Sequence, residues 1–462
     1  MDMKAYISEN RQRMLDELFD LLRIPSVSAD PAYAGDVQKC AEAVADSLKQ
    51  AGASNVEVMA TPGHPIVYGE YIVDRSASTV LVYGHYDVQP ADPIELWDNP
   101  AFEPIIKTTD IHPEGAIFAR GSCDDKGQMF MHVKALEAMV ASGEVPCNVK
   151  FIIEGEEEVG SDNLDDFLEE HKEKLAADVV LVSDTGIIAN DTPSICVGLR
   201  GLAYVEVQIT GPNRDLHSGL YGGAAPNPIN ILCEMIASLK DDDQRITVDG
   251  FYDDVLELSD SEREAMARAP FSEEAYKNSI GIGGTEGEPS YSPPERMSIR
   301  PTLDLNGIWG GYQGEGAKTV LPARAGAKFS CRRVPNQDPD KVRDSVQKML
   351  EELLPPGLKM EVIHHHGAPG VVVSLDSPYM TAAAEAIGKG FGTKPVFIRE
   401  GGSIPVVTAF RELLGIDTLL LGWGLDDDNT HSPNEKFSLD DYYRGTKASA
   451  HLWQEISKII RG

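Results

Sequence analysis

The sequence predicts an α/β fold: one domain with a central mixed, mostly parallel sheet, interrupted by an inserted domain of α+β type. Three observations carry this. Short, mostly apolar runs at 79–83, 149–153 and 179–182 are separated by helical stretches, as expected of strands buried on both faces. After about residue 200, Val205, Val207 and Ile209 alternate with Tyr204, Glu206 and Gln208, the period-two mark of a strand with one wet face. Past Leu375 the first style returns. The resulting boundaries are 1–201 with 373–462 for the discontinuous domain and 202–372 for the insertion.

Each element has its own signal. Met14, Leu18, Leu21 and Leu22 form a helical stripe that Pro25 ends, and Val37, Ala41, Val44 and Leu48 repeat it up to Gly52, so two amphipathic helices open the chain. The insertion is expected to hold a helix at 227–239, an acidic, loop-rich stretch at 241–294, a strand at 328–333 and a helix at 339–354. A helix at 380–389, strands at 395–398 and 418–421, and a closing helix at 440–460 complete the first domain. GIGG at 281–284 lacks the strand-then-helix context of a nucleotide fingerprint and reads as a loop.

With 462 residues the chain is long enough for two to three folding units, and 42% apolar and 25% charged residues exclude global disorder. Lys and Arg number 41 against 74 Asp and Glu, a balance of −33 that repels phosphate backbones and anionic lipid. Nucleic acid and membrane are therefore not expected as partners. Such acidity serves solubility, and it also draws divalent cations toward a carboxylate-lined cleft. No stretch approaches the ~20 apolar residues that cross a bilayer, and the first residues lack a secretory h-region, so the expected compartment is the cytoplasm. Cys40, Cys123, Cys147, Cys196, Cys233 and Cys331 lack CxxC spacing, which favours reduced, mostly buried thiols and leaves any metal to His and carboxylates.

Such residues stand where buried strands end, the edge at which open α/β sheets place their sites. The run 81–84 leads into His85, Tyr86 and Asp87; 151–153 leads into Glu154, Gly155, Glu156, Glu157 and Glu158; 180–182 leads into Ser183 and Asp184. Three strand ends thus deliver imidazole and carboxylate to one edge.

The segments GHYDVQP (84–90), ARGSCDDKG (119–127), EGEEEVGS (154–161), SDT (183–185), DLHSGLYGG (215–223), GAKTVLP (316–322), REGGSIP (399–405) and THSPNE (430–435) extend this pattern along nearly the whole chain. In their order and spacing they resemble metallopeptidase family M20, the dinuclear-zinc aminoacylase and dipeptidase group. The resemblance implies that the α/β domain is catalytic and that the insertion is a lid and dimerisation domain. It pairs His85 with Asp184 on one metal and Glu158 with His431 on the other, with Asp124 bridging. Two adjacent cations need a shared anionic ligand, and a carboxylate offers one oxygen to each. Two His and three carboxylates suit two Zn²⁺ per subunit, with Mn²⁺ or Co²⁺ as substitutes.

The same resemblance implies Glu157 as general base toward the attacking water and Asp87 as the residue that orients His85. It implies a cis peptide between Asp124 and Asp125. His217 is implied to cross a homodimer interface and stabilise the oxyanion in the partner's site; a capping or core role at its Gly-rich turn is the competing reading. Arg332, Ser403 and Thr319 resemble substrate contacts, the first two gripping a terminal carboxylate, although Arg333 stands beside Arg332 and can share that task. In the run 364–366, His366 is the member expected near the metals. The DDKG and DLHSGLYGG forms lie closer to the dipeptidase branch, of the carnosinase and cytosolic nonspecific dipeptidase kind. The expected reaction is therefore metal-dependent hydrolysis of dipeptides, the alternative being an N-acyl-amino-acid amidohydrolase or carboxypeptidase of identical metal chemistry. Expected partners are a small peptide or N-acyl amino acid and a second copy of the chain.

Overall fold

The computed structural model describes residues 2–402 and 404–459, the side chains of residues 260, 261, 265, 366, 368 and 405 aside. By its internal contacts the chain divides into a first unit, Met1–Val197, Val373–Ile398 and Ala409–Gly462, and a second, Gly198–Val372 with Arg399–Thr408.

In the first unit the sheet runs, in spatial order, Ser54–Met59, Ile66–Tyr71, Asn148–Glu154, Thr79–His85, Val179–Val182, Thr418–Leu420 and Ser194–Leu199. From Asn148–Glu154 to Thr418–Leu420 neighbouring strands are parallel, and the flanking pairings are antiparallel. The parallel strands are apolar at consecutive positions because both faces are covered: Val80, Leu81, Val82, Tyr83, Phe151, Ile152, Ile153 and 179–182 are all buried. Helix Lys126–Ser142 is buried around nearly its whole circumference and stops at Gly143, whose left-handed backbone (φ 71°) supplies the C-terminal cap. Helix Pro378–Phe391, capped by Ser377, packs against the closing helix Leu439–Ile456, capped by Ser438.

Some local expectations shift. The opening segment forms three helices, Met3–Glu9, Arg11–Leu22 and Ala34–Gln50, the first two separated at Asn10. The strands Ser54–Met59, Ile66–Tyr71 and Ser194–Leu199 were not anticipated; the first lies at the sheet edge with every residue at least partly exposed, so it has no need of a strong apolar pattern. The stretch expected as loop at 241–294 contains helices Asp260–Met266 and Glu273–Ile280 and the start of Pro293–Ser298. Arg300 fastens this segment: Nη2 lies 2.9 Å from Glu288, Nη1 2.9 Å from Glu257, and the guanidinium sits against the rings of Tyr252 and Tyr291.

The second unit centres on an antiparallel sheet ordered Thr302–Gly310, Arg324–Arg333, Gly201–Thr210, Lys359–Ala368. Ala203, Val205, Val207 and Ile209 turn to one face and form a core with Leu232 and Met235 of helix Pro228–Ala237 and Val342, Val346 and Leu350 of helix Pro339–Leu353. The edge strand Thr302–Gly310 leaves Leu305, Ile308 and Trp309 exposed. Cys233 is exposed and the other five cysteines are buried; all six are free thiols. Among the described residues no helix is long and apolar enough to cross a membrane.

Candidate metal centre

Strand register explains why distant motifs meet. Tyr83 pairs with Val182 and His85 with Glu154, so the parallel strands end at one level. His85 lies two residues beyond Tyr83, and Asp184 two beyond Val182. With a side-chain period of two, both leave the same face of adjacent strand ends. Glu157 and Glu158 occupy the 3₁₀ turn Glu157–Val159 after the neighbouring strand. Asp124 precedes helix Lys126–Ser142, and the Asp124–Asp125 peptide is cis. His431 comes from the loop between Thr418–Leu420 and Lys436–Ser438.

The ligand atoms of His85, Asp124 and Asp184 lie within 4.8 Å of one another, as do those of Asp124, Glu158 and His431. Asp124 belongs to both groups and divides its oxygens between them. Its Oδ1 stands 3.1 Å from His85 Nε2, whereas its Oδ2 stands 2.9 Å from His431 Nε2, which is also 3.2 Å from Glu158 Oε2. Two ligands of one tetrahedral zinc, each at its normal bond length, would be roughly 3.3 Å apart.

The tautomer of His85 sharpens this fit. Its Nδ1 meets only acceptors, the Asp87 carbonyl at 3.0 Å and Asp87 Oδ1 at 3.4 Å, and so carries the ring proton. Nε2 points at a carboxylate oxygen, Asp124 Oδ1, in a fully buried setting, and with Nδ1 already protonated only a proton or a metal cation can hold the two together. Two lone pairs at that separation repel unless a cation lies between them. Burial opposes protonation of His85, but Asp124 and Asp87 outweigh it and raise its pKa well above the usual imidazole value, so a metal and a proton compete for the same lone pair. Burial raises Asp184, reinforced by Asp124, and it raises Glu157 to about 7, with His85 opposing and Glu158, Asp124 and Asp87 adding. The donor set therefore fits divalent cations.

Supporting residues hold these ligands. Asp87 Oδ2 accepts from Glu158 N at 3.1 Å, so one carboxylate serves both His85 and Glu158. Gln89 Nε2 donates to Glu158 Oε2 at 2.8 Å. Tyr83 donates to Glu154 at 2.6 Å, and burial raises that carboxyl to about 8. Gln89 lies in the GHYDVQP segment, and its spacing from His85 is the sequence signal for this contact. A further group, His112, Asp427 and Asp428, also has ligand-like spacing, but Lys436 Nζ sits 2.7 Å from Asp427 and 2.6 Å from Asp428 and already neutralises it.

The remaining predicted residues lie in the second unit. His217 is exposed, pairs with Val320, and accepts from Gly219 N through Nδ1 at 3.0 Å; Thr319 accepts from the next residue, Ser218 N, at 3.1 Å. A capping contact is thus present, and it leaves Nε2 of His217 as the protonated nitrogen. Arg333 is fully buried and donates to the Gln337 and Leu202 carbonyls, which commits it to the fold, whereas Arg332 is partly exposed on the alternate face. His366 belongs to strand Lys359–Ala368, its side chain outside the description; Ser403 lies outside the described residues altogether.

Comparison with known proteins adds an independent line. Residues 81–455 match the model of peptidase family M20/M25/M40. The Cys-Gly metallodipeptidase dug1 of Schizosaccharomyces pombe is 33% identical, over 98% of this chain and 97% of its own length. The crystal structure of human carnosine dipeptidase 1 aligns with TM-score 0.86 and 30% identity, covering 99% of this chain and 98% of that one. An M20 metallo-carboxypeptidase from Sulfolobus solfataricus, Sso-CP2, aligns with TM-score 0.86 and 34% identity, covering 96% and 99%.

Proposed function

The chain belongs to peptidase family M20, and on that premise we propose that it is a metal-dependent dipeptidase. One observation carries this reading furthest: Asp124 turns one oxygen to Nε2 of buried His85 and the other to Nε2 of His431. His85 and Asp184 would hold one cation, Glu158 and His431 a second, and Asp124 both. Imidazole beside carboxylate selects zinc, two ions per subunit, with manganese or cobalt able to substitute. When bound, the pair polarises a scissile carbonyl and makes the attacking water more acidic.

The chain's own groups do the rest. A carboxylate oxygen of Glu157 takes the water's proton and passes it to the leaving amine. Asp87 keeps His85 in the tautomer whose Nε2 is free to ligate. Nε2–H of His217, fixed as a donor by the cap at Nδ1, stabilises the oxyanion in the site of a partner subunit. Arg332 and Ser403 receive the substrate's free carboxylate end, Thr319 is a further substrate contact, and His366 lies near the metals. The domains of this reading are 1–201 with 373–462 for catalysis and 202–372 for the lid and dimer contact. A homodimer is supported by the exposed apolar side chains on the edge strand Thr302–Gly310, an edge that a second copy can cover. Free thiols accord with the cytoplasm.

A second reading, N-acyl-amino-acid amidohydrolase or carboxypeptidase, is favoured by the similarity to Sso-CP2. A panel of dipeptides, N-acyl amino acids and longer peptides separates them, assayed with metal-stripped protein to which Zn²⁺ or Mn²⁺ is returned. Dipeptides should be cleaved fastest and only after metal is restored. Full activity without metal, or preference for acyl substrates, would overturn the first reading.

A further inference from the structure

Resting on the metal-centre reading above, we infer that Glu435, together with Arg120, is a positioning clamp that sets the spacing between Asp124 and His431. Glu435 is fully buried and satisfied by four donors. Its Oε1 accepts from the backbone N–H of Cys123 at 3.0 Å and Asp124 at 3.1 Å. Its Oε2 accepts from Gly121 N at 3.0 Å and Arg120 Nη1 at 2.7 Å. Arg120 extends the clamp through Nη2 to the Pro90 carbonyl at 3.1 Å, on the loop that carries His85 and Asp87. One carboxylate thereby ties together the three loops that supply His85, Asp124 and His431.

Local conformation makes such a tie necessary. His431 has φ 60°, with Asn429 at 55° and Asn434 at 62°, left-handed values that non-glycine residues adopt at a cost. A loop held in that shape needs fixed ends. Glu435 is one; Asp428 is the other, accepting from Leu425 N at 2.8 Å and from Lys436 Nζ at 2.6 Å. On the opposite strand of the clamp, Gly121 turns at φ 82° so that consecutive N–H groups converge on the same carboxylate. Neither Glu435 nor Arg120 is among the ligands, so their effect on metal passes through the backbone of Asp124 and the ring of His431.

The test is zinc binding by the full-length, metal-stripped chain, with Zn²⁺ as the probe in competition with a chelating dye, alongside the melting temperature of the metal-free form. Glu435→Gln keeps the volume but turns an amide donor toward one pair of N–H donors; Arg120→Lys keeps the cation but loses the fork. Each variant should bind zinc about 10- to 100-fold more weakly than wild type. A purely structural role would lower the melting temperature and leave the folded protein's affinity within twofold of wild type, which overturns the inference. If Glu435→Gln does not fold, Arg120→Lys decides by the same criterion. His431→Ala serves as reference. A wild-type chain that takes up no zinc overturns the metal-centre reading and the clamp with it. Strong wild-type binding matched by the clamp variants overturns the clamp alone.

Discussion

Acidification should destabilise the metal-free first unit through His132, which lies on helix Lys126–Ser142 beneath the strand end that leads to Asp184. Its Nε2 is 2.8 Å from Ser183 Oγ and its Nδ1 2.8 Å from Ser449 Oγ. Ser183 spends its own proton on the Leu421 carbonyl at 2.7 Å, so it can only accept from Nε2–H of the imidazole, which leaves Nδ1 of the neutral ring to accept from Ser449. Burial lowers the ring's pKa to about 3 and so keeps it neutral. Between that value and 6.5 the unfolded chain binds a proton that the folded chain refuses, so stability rises with pH in that window and is lost as pH falls through it. The full slope is about 1.4 kcal/mol per pH unit but only half that at pH 6.5, where the unfolded ring is half protonated, so going from pH 6.5 to 4.5 removes about 2.3 kcal/mol. Glu/Asp titrations act over the same range, so the quantity to read is the difference between wild type and His132→Gln, whose amide still reaches Ser183 but does not titrate. Urea unfolding in excess chelator, followed by tryptophan fluorescence, measures it. With an m-value of roughly 3 kcal/mol/M, the wild-type midpoint should fall by about 0.8 M more than the variant's. Parallel pH dependence in the two proteins would refute the argument.

The remaining predictions concern function. Glu157→Gln should retain its metal, measured by elemental analysis, and lose about 10²- to 10⁴-fold in kcat; retained turnover removes Glu157 as the base. Arg332→Met should raise KM for dipeptides at least about tenfold while barely changing amidated substrates that lack the carboxylate; equal losses on both would show a structural role. If a second copy covers the exposed edge strand as proposed, Ile308→Arg should shift the chain from dimer to monomer in sedimentation, and an unaltered dimer would move the interface elsewhere. Chelation should abolish dipeptide hydrolysis and returned Zn²⁺ restore it; activity persisting without metal would end the dinuclear account.

Part of the proposed ligand set was legible from chemistry: His85, Glu158 and Asp184 are of the few residue types that bind divalent cations and follow buried strands, whereas Asp124 and His431 were implied only by the motif resemblance. The supporting groups were harder to see. Glu435 and Gln89 sit inside quoted motifs, yet an acid or amide there looks like any polar loop residue until its partners are known. Arg332 and Arg333 could not be ranked from their adjacency; strand alternation and the burial of Arg333 against two carbonyls separate them. The three helices at 260–298 escaped notice because they are short and polar, and Arg300, rather than an apolar stripe, holds that segment in place.

By itself the sequence determined the class of fold, since strands covered on both faces must be apolar at successive positions, and it determined the kind of chemistry, since the available ligands were imidazole and carboxylate. Only the tertiary structure decided which oxygen of Asp124 faces which imidazole, that Nδ1 of His85 faces the Asp87 carbonyl, and that Glu435 grips the amide of Asp124 across 311 positions of chain. Such contacts depend on where separate loops cross in space, and no local periodicity encodes a crossing.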